Sequence, residues 1–392
     1  MARFLAYTSP ARGHLYPITP TLLELADRGH DVHVRTLASE VPGLVDMGLR
    51  ADAVAPAIEA LPIDDWRSDD PLEGVARIFD IFAKRATSEI DDLRAAIGAI
   101  APDCLVIDIT TSGAAAVAEA SGLPWARWIP FLAHATFGPE PPSRVDFIPY
   151  SIAPAGLDVV NGARAAVGLP SLATPDDGWR ASVELYLTAE PFEAPGLVYP
   201  DTFSLVGPGV WEPPSATPDW LDRVDDPLVL VTASSEYQLD DSLIRTALEA
   251  LGSSDLQIVV STAAHDPATF TAPDNTTLER WLPHQAVIDR AACVVCHGGM
   301  GITQKALAAG VPVCIVPFGR DQFEVAKLVE MAGCGTTVMP DKLGPATLAT
   351  AVREAMGMRT SAQNIADSFR RAGGATAAAD RVEALLGASV AT

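Results

Sequence analysis

Apolar residues along this chain gather in short unbroken runs separated by longer segments of helical period. Runs at Arg3 to Thr8, Val32 to Leu37, Cys104 to Ile107, Trp125 to Pro130, Leu228 to Thr232, Gln257 to Ser261, near Thr276, Cys293 to Cys296 and Val311 to Pro317 read as strands. Runs this short and this apolar are the signature of strands buried on both faces, as in parallel sheets. Between and after them, helices are predicted at Pro17 to Arg28, Gly74 to Ile100, Leu239 to Leu251, Thr303 to Ala309, Gly344 to Met356, Ser361 to Ala372 and Thr376 to Leu386. In the second of these Ile78, Ile81, Phe82 and Ile90 share one side. Strand, helix, strand in both halves implies an α/β fold with parallel sheets. The composition shifts from Val206 to Asp226, where Gly-Pro-Gly, Trp211, Glu-Pro-Pro and Asp-Trp220 mark a linker. The expected division is therefore a domain over 1–205, a linker over 206–226, a second domain over 227–375 and a terminal helix over 376–392.

Length and charge narrow the function. At 392 residues, 48% of them hydrophobic, the chain can build two cores. Lys+Arg of 27 against Asp+Glu of 50 gives a formal charge of -23, with no basic stripe. Nucleic acid and anionic membrane surfaces are repelled by such a field. An odd count of 5 cysteines fits a reducing compartment, and neither a signal peptide nor an apolar span is legible. The cytoplasm is the expected location, and a monomer or homodimer the expected state. Cys293-Val-Val-Cys296-His297 matches a haem-attachment pattern, but it lies inside a buried strand rather than in an exported loop.

Chemistry concentrates at strand ends. Gly298, Gly299 and Gly301 stand where a strand ends and a helix begins, a place where small residues let backbone N–H groups approach a phosphate. Asp108 ends another strand, on the edge where open α/β sheets bind ligands, although a carboxylate there also serves as a helix cap. The loop after the first strand carries Gly13-His14-Leu-Tyr-Pro17 and lacks the Gly-x-Gly-x-x-Gly of a dinucleotide site, which weakens a dehydrogenase reading. His30 and His33 read as connection residues. Phe131 to Tyr150 is irregular, proline-rich and aromatic; with Trp66 and Phe82, its Phe131, Phe137, Phe147 and Tyr150 are candidates for the floor of an acceptor pocket, or for core filler.

Taken together, Trp281, Pro283, His297, Gly299, Gly310, Val311, Pro312, Asp321 and Gln322 resemble the nucleotide-sugar signature of inverting UDP-glycosyltransferase-type enzymes of family 1, in particular the actinobacterial natural-product and macrolide glycosyltransferases. The resemblance implies the GT-B architecture, with two Rossmann-like domains facing across a cleft and the last helix returning to the first domain. It implies His14 as general base oriented by Asp108, at the end of the run Pro102 to Asp108. Trp281 would stack on the base and Leu282 read its edge, while His284 and Lys305 neighbour the ribose. Ser234, Ser235, His297, Gly299, Gly301, Ile302 and Thr303 would hold the diphosphate, and Asp321 and Gln322 the sugar. No Asp-x-Asp metal clamp is present, so neither a metal nor a resident cofactor is expected; the nucleoside-diphosphate sugar is a co-substrate.

Three departures from the family pattern bear on the donor. Where the family places a ribose-binding Glu this chain has Lys305, and an ammonium cannot accept a hydrogen bond. A deoxyribose donor such as a dTDP-sugar then competes with a UDP-sugar. The motif's Gln is His284, and its phosphate-touching Ser or Thr is Ile302. The expected activity is transfer of a hexose to a hydroxyl of an apolar polyketide, macrolide or similar aglycone in antibiotic biosynthesis. A nucleotide-sugar epimerase of the same fold and a non-catalytic nucleotide-sugar-binding helper protein are the alternatives.

Overall fold

The computed structural model describes residues 1–68, 71–132, 154–178, 180–193, 196–224 and 227–388. The chain forms two compact units. The first takes in the chain up to Ala189, the stretch that ends at Trp211 and the C-terminal segment from Ala372; the second comprises Glu190–Glu193 and Glu212–Arg371.

The first unit is built on a parallel sheet of β1 (Arg3–Tyr7), β2 (Asp31–Thr36), β3 (Arg50–Ala53), β4 (Cys104–Asp108), β5 (Trp125–Ile129), β6 (Val183–Tyr186) and β7 (Phe203–Leu205), in the order β3-β2-β1-β4-β5-β6-β7. The second repeats the plan with β8 (Leu228–Thr232), β9 (Gln257–Ser261), β10 (Thr276–Glu279), β11 (Ala291–Cys296), β12 (Val313–Ile315) and β13 (Gly335–Thr337), in the order β10-β9-β8-β11-β12-β13. Every pairing is parallel, with Tyr7 opposite Ile107 and Thr232 opposite Cys296. In each sheet the order reverses beside the first strand, so β1/β4 and β8/β11 are the switch points. The unbroken apolar runs are the central strands: β4 and β8 are buried along their whole length. The strands that the sequence pattern did not announce are β3, β6, β7 and β13; three of these, β3, β7 and β13, lie at sheet edges, where a half-exposed strand needs no apolar run.

Helices cover these sheets with narrow apolar stripes. In Asp241–Leu251 the buried residues Leu243, Ile244, Ala247, Leu248 and Leu251 recur at helical spacing and pack on Val229, Val231 and Ile258. In the first unit Phe4, Ile18, Leu22 and Trp128 share a core with Ala378, Ala379, Val382 and Leu385 of the last helix, Gly374–Ala388. That helix is also tied down by Arg28, which donates to Asp380 (2.7 Å) and Glu383 (2.5 Å), and by His30, whose Nε2 lies 2.6 Å from Glu383.

Two helix starts differ from expectation. The first helix runs Arg12–Asp27 with Pro17 and Pro20 inside it, not from Pro17 onward. Both prolines lie past the four N–H groups that need no partner, so each removes an intrahelical hydrogen bond and crowds the carbonyl four residues back; the buried packing of Leu15, Ile18, Leu22 and Leu25 holds the helix together across them. His14 consequently lies on the first turn of a helix rather than in a loop. The helix after β11 begins at Met300, not Thr303. In the segment anticipated as a linker, a Cβ on Gly209 would fall 1.6 Å from the Pro17 carbonyl oxygen, so only glycine lets that strand of chain cross the first helix. Among the described residues no helix is long and apolar enough to cross a membrane.

Gly113 marks a close contact between two helices of the first unit. A Cβ there would meet the Ala86 carbonyl oxygen at 2.1 Å and Glu89 Cβ at 2.9 Å, whereas one on exposed Gly98 meets nothing within 4 Å. Gly113→Ala should therefore lower stability by about 2–4 kcal/mol, while Gly98→Ala should leave it unchanged or raise it by up to about 1 kcal/mol. Urea midpoints at constant slope check both; equal midpoints for the two variants would disprove the close packing at Gly113.

Candidate active site

At the switch point of the first sheet, Asp108 ends β4 and faces the first turn of the helix that follows β1. Its carboxylate is wholly buried and fully engaged. His14 Nδ1 lies 3.1 Å from Oδ1 and 2.9 Å from Oδ2, the Ser9 amide donates to Oδ2 at 3.0 Å, and the Thr110 amide and hydroxyl each donate to Oδ1 at 2.9 Å. Burial alone would raise the pKa of Asp108; the His14 ring and these donors outweigh it and hold the group below the ordinary aspartate value. An ionised carboxylate can only accept, so it fixes the His14 proton on Nδ1 and leaves the Nε2 lone pair open. Asp108 caps no helix: the next one, Ser112–Ser121, has Thr111 at its N-cap. Its first turn is served instead by Glu89, which accepts from the Gly113 amide at 2.9 Å and whose own pKa is pushed up to about 8, chiefly by burial.

The second sheet carries the candidate anion site at its switch point. His297 follows β11, and Gly298, with φ of +88°, turns the chain. A side chain at Gly298 would strike Ile315 Cγ2 at 2.6 Å, and one at Gly299 would strike His297 Nε2 at 2.3 Å. The helix Met300–Ala308 starts here with Gly299 as N-cap and no side chain capping it. The amides of Met300, Gly301 and Ile302 thus have no partner within the helix, and a Cβ on Gly301 meets nothing within 4 Å. His297 is buried, its Nδ1 has no partner among the described residues, and burial lowers its pKa to about 4, with Asp240 pulling the other way. Uncapped amides, a helix N-terminus and an imidazole nitrogen without a partner suit a phosphate. Thr303 does not join them: its amide donates to the Gly299 carbonyl (3.1 Å) and its buried hydroxyl lies 3.9 Å from Cys296 Sγ. The Met300 amide, which the sequence pattern did not single out, takes that place because the helix begins earlier. Ser234 borders the site from the loop after β8, with its amide bonded to Asp240 (2.7 Å) and its hydroxyl accepting from Glu236 (3.2 Å); Ser235 is half-buried beside it. Asp240 is itself fixed by His265 Nε2 at 2.7 Å.

Trp281 is 52% exposed, a large aromatic face turned to solvent, and Leu282 is half-buried beside it. Lys305 is buried on the helix after the glycine turn and donates to Glu212 at 2.8 Å, while the other oxygen of Glu212 accepts from the Gln285 amide at 3.0 Å. Glu212 was not legible as a site residue, because it is distant in sequence. His284 is held neutral, its pKa lowered to about 4 by burial and by the Lys305 charge. Asp321 is the N-cap residue of Gln322–Met331. The Gln322 side chain is buried and occupied: its Oε1 accepts from the Phe318 (2.8 Å) and Gly319 (3.2 Å) amides.

Of the aromatic candidates for an acceptor floor, Phe131 packs edge-on to the His14 ring with centroids 5.9 Å apart. Trp66 lies under Arg67 (5.2 Å) and Phe82 against Phe79 (6.4 Å). Phe137, Phe147 and Tyr150 fall outside the described residues. A groove of about 540 Å³ runs along the Phe79 to Ile90 face, but its lining includes neither His14 nor Phe131. Among the described residues no group of three or more His, Cys, Asp or Glu stands where it could hold a metal ion.

Comparison with known proteins bears on this arrangement. Residues 245–385 match the model of the erythromycin biosynthesis protein CIII-like C-terminal domain. The chain is 28% identical to 4'-demethylrebeccamycin synthase of Lentzea aerocolonigenes, over 98% of this chain and 100% of that protein. Among solved structures it resembles the calicheamicin glycosyltransferase CalG4 with a TM-score of 0.75 at 22% identity, covering 100% of both chains. It also resembles the glycosyltransferase SsfS6 of Streptomyces sp. SF2575, solved with thymidine diphosphate, with a TM-score of 0.73 at 19% identity over 98% of this chain and 100% of that one.

A histidine kept neutral by burial leaves a mark on stability. The folded pKa of His297, about 4, lies below that of the unfolded chain, so protons bind the unfolded state more strongly between the two values and stability falls as pH drops from about 6.5 toward 4. Urea melts at pH 7 and pH 5 should show wild type losing roughly 2 kcal/mol more than His297→Gln over that interval. An equal loss in both proteins would mean that His297 is not buried neutral.

Proposed function

We propose that this chain, a glycosyltransferase of GT-B fold with an erythromycin CIII-like C-terminal domain, inverts the anomeric centre of a nucleoside-diphosphate hexose as it transfers the sugar to a hydroxyl of an apolar natural product, without a metal. The observation that carries the reading is the pair formed by His14 and the buried, ionised Asp108. Its open Nε2 is placed to take the proton of an acceptor hydroxyl. The freed oxygen pair attacks the anomeric carbon from the face opposite the leaving group, the bond from that carbon to the phosphate oxygen breaks, and its electrons leave with the nucleoside diphosphate. Asp108 stabilises the imidazolium, which later yields its proton to water. The charge gathering on the diphosphate is met by the amides of Met300, Gly301 and Ile302 and by His297, an electrostatic device already aligned before reaction. Trp281 supplies the stacking face for the base, Leu282 its edge contact, and Asp321 a ligand for sugar hydroxyls.

For the nucleotide we favour dTDP over UDP. Lys305 is committed to Glu212 and has no lone pair for a ribose 2′-hydroxyl, a group that deoxythymidine lacks. The thymidine diphosphate in the SsfS6 structure supports the same choice. Phe131 beside His14 supports a flat apolar aglycone of polyketide, macrolide or related type. A helper protein has no use for the base pair, and an epimerase has no use for an apolar face beside it.

Several measurements decide the reading. His14→Ala should lower kcat/KM by about 10²–10⁴-fold with nucleotide affinity unchanged, and Asp108→Asn by a comparable factor. Turnover should withstand EDTA, and an α-linked donor should give a β-glycoside by the anomeric proton coupling. In thermal melts dTDP at a hundred times its dissociation constant should stabilise by roughly 2.7 kcal/mol and exceed the UDP shift at equal concentration. Retention of configuration, or full activity in His14→Ala, would sink the mechanism; a larger shift with UDP would overturn the nucleotide assignment alone.

A further inference from the structure

The hydrogen bonds around Gln322 fix the direction of a second amide. The backbone N–H groups of Phe318 and Gly319 can only donate, so the Gln322 atom that receives both, at 2.8 and 3.2 Å, is its oxygen. The Gln322 nitrogen is thereby turned toward Gln238, 2.7 Å away, and the Gln238 atom that receives it must also be oxygen. Gln238 is left presenting its Nε2, a pure donor. That nitrogen is buried, the residue only 6% exposed, and it has no partner among the described residues. Leaving such a donor unsatisfied costs about 1–3 kcal/mol.

Backbone geometry points the same way. The turn that carries Gln238 puts Leu239 at φ of +59°, and the loop that carries Phe318 and Gly319 puts Arg320 at φ of +56°. These are left-handed conformations in residues other than glycine, each held at a cost of order 1 kcal/mol or more. The Leu239 turn leaves Tyr237 and Leu239 in solvent, 41% and 48% exposed, and sends the amide of Gln238 inward. Both loops leave the carboxyl ends of their strands, β8 and β12, which flank β11, the strand that His297 follows. Gln322 also closes on the glycine turn, since a Cβ on Gly298 would lie 3.5 Å from Gln322 Cβ.

We propose that Gln238, locked in one amide orientation by Gln322, donates a hydrogen bond from Nε2 to an oxygen of the bound sugar nucleotide, and that Gln322 acts as the positioning residue that sets this orientation. The proposal rests on the sugar-nucleotide reading of the second unit. Gln238 then makes a contact to the sugar nucleotide, whereas the resemblance implied Gln322 as a sugar-binding residue. A phosphoryl oxygen and a sugar hydroxyl oxygen present the same chemistry to the amide, and the experiment separates them.

Calorimetric titration of the full chain with dTDP and with a dTDP-hexose, each compared with wild type, tests the assignment. Gln238→Glu keeps an oxygen for the Gln322 amide and loses the donor; Gln238→Met is the uncharged second variant. Both should weaken binding about 10- to 100-fold. Loss with dTDP and dTDP-hexose alike assigns the contact to phosphate, whereas loss with dTDP-hexose alone assigns it to the sugar. Gln322→Glu keeps the acceptor for Phe318 and Gly319 but cannot donate to Gln238, and it should raise KM for the donor more than it changes kcat. Wild-type affinity for both ligands in Gln238→Glu and Gln238→Met, with wild type itself binding, overturns this assignment and leaves the sugar-nucleotide reading standing. Failure of wild type to bind any nucleotide overturns both.

Discussion

A parallel sheet whose strand order reverses leaves its carboxyl edge open beside the reversal, because the helices leaving neighbouring strands go to opposite faces. Both units of this chain depend on that constraint. At β1/β4 the open edge receives a histidine from the connection after β1 and a carboxylate from the end of β4; at β8/β11 it receives a loop of serines and a helix N-terminus. The strands supply rigid, buried platforms and the short connections supply chemistry. No side chain of either site has to cross a layer of structure to reach its partner.

The two edges are specialised by electrostatics. The first buries a negative charge and stabilises it with the Ser9 and Thr110 amides, a hydroxyl and an imidazole, which suits proton removal. The second concentrates N–H groups and keeps its histidine neutral, which suits an incoming anion. In a chain with a formal charge of -23 the long-range field opposes any anion, and only short-range donors such as these amides act against it. Charge pairing continues around Lys305. Lys305 would be an isolated buried ammonium without Glu212, and His284 stays neutral next to that pair.

Close backbone approach is the second recurring device. Gly113, Gly209 and Gly298 each stand where a methyl group would strike a backbone carbonyl or a core side chain. The first brings two helices together behind Asp108, the second lets the chain leave the first unit across the helix that carries His14, and the third sets the angle at which the anion-site helix starts. The left-handed Leu239 and Arg320 show the same economy of space without glycine.

Local periodicity was sufficient for the buried strands other than β6, for most of the covering helices and for the two-sheet architecture, since a strand covered on both faces is apolar and a covering helix carries a stripe. The edge strands β3, β7 and β13 were not legible, because a strand with one open side has no such requirement. The glycine turn and Asp108 could be singled out from their strand ends, whereas His14 was reached through the resemblance of its Gly-His-x-x-Pro loop. Only the tertiary structure decided how side chains distant in sequence pair. Glu212 neutralises Lys305, Glu89 serves the helix after Asp108, and Gln322 fixes Gln238. Thr303 and Pro17 mark the same limit: a helix start is set by where packing lets the first turn close, and a shift of one turn changes which amides face a ligand. Hydrogen-bond direction and burial belong to the folded arrangement, and no single stretch of sequence contains them.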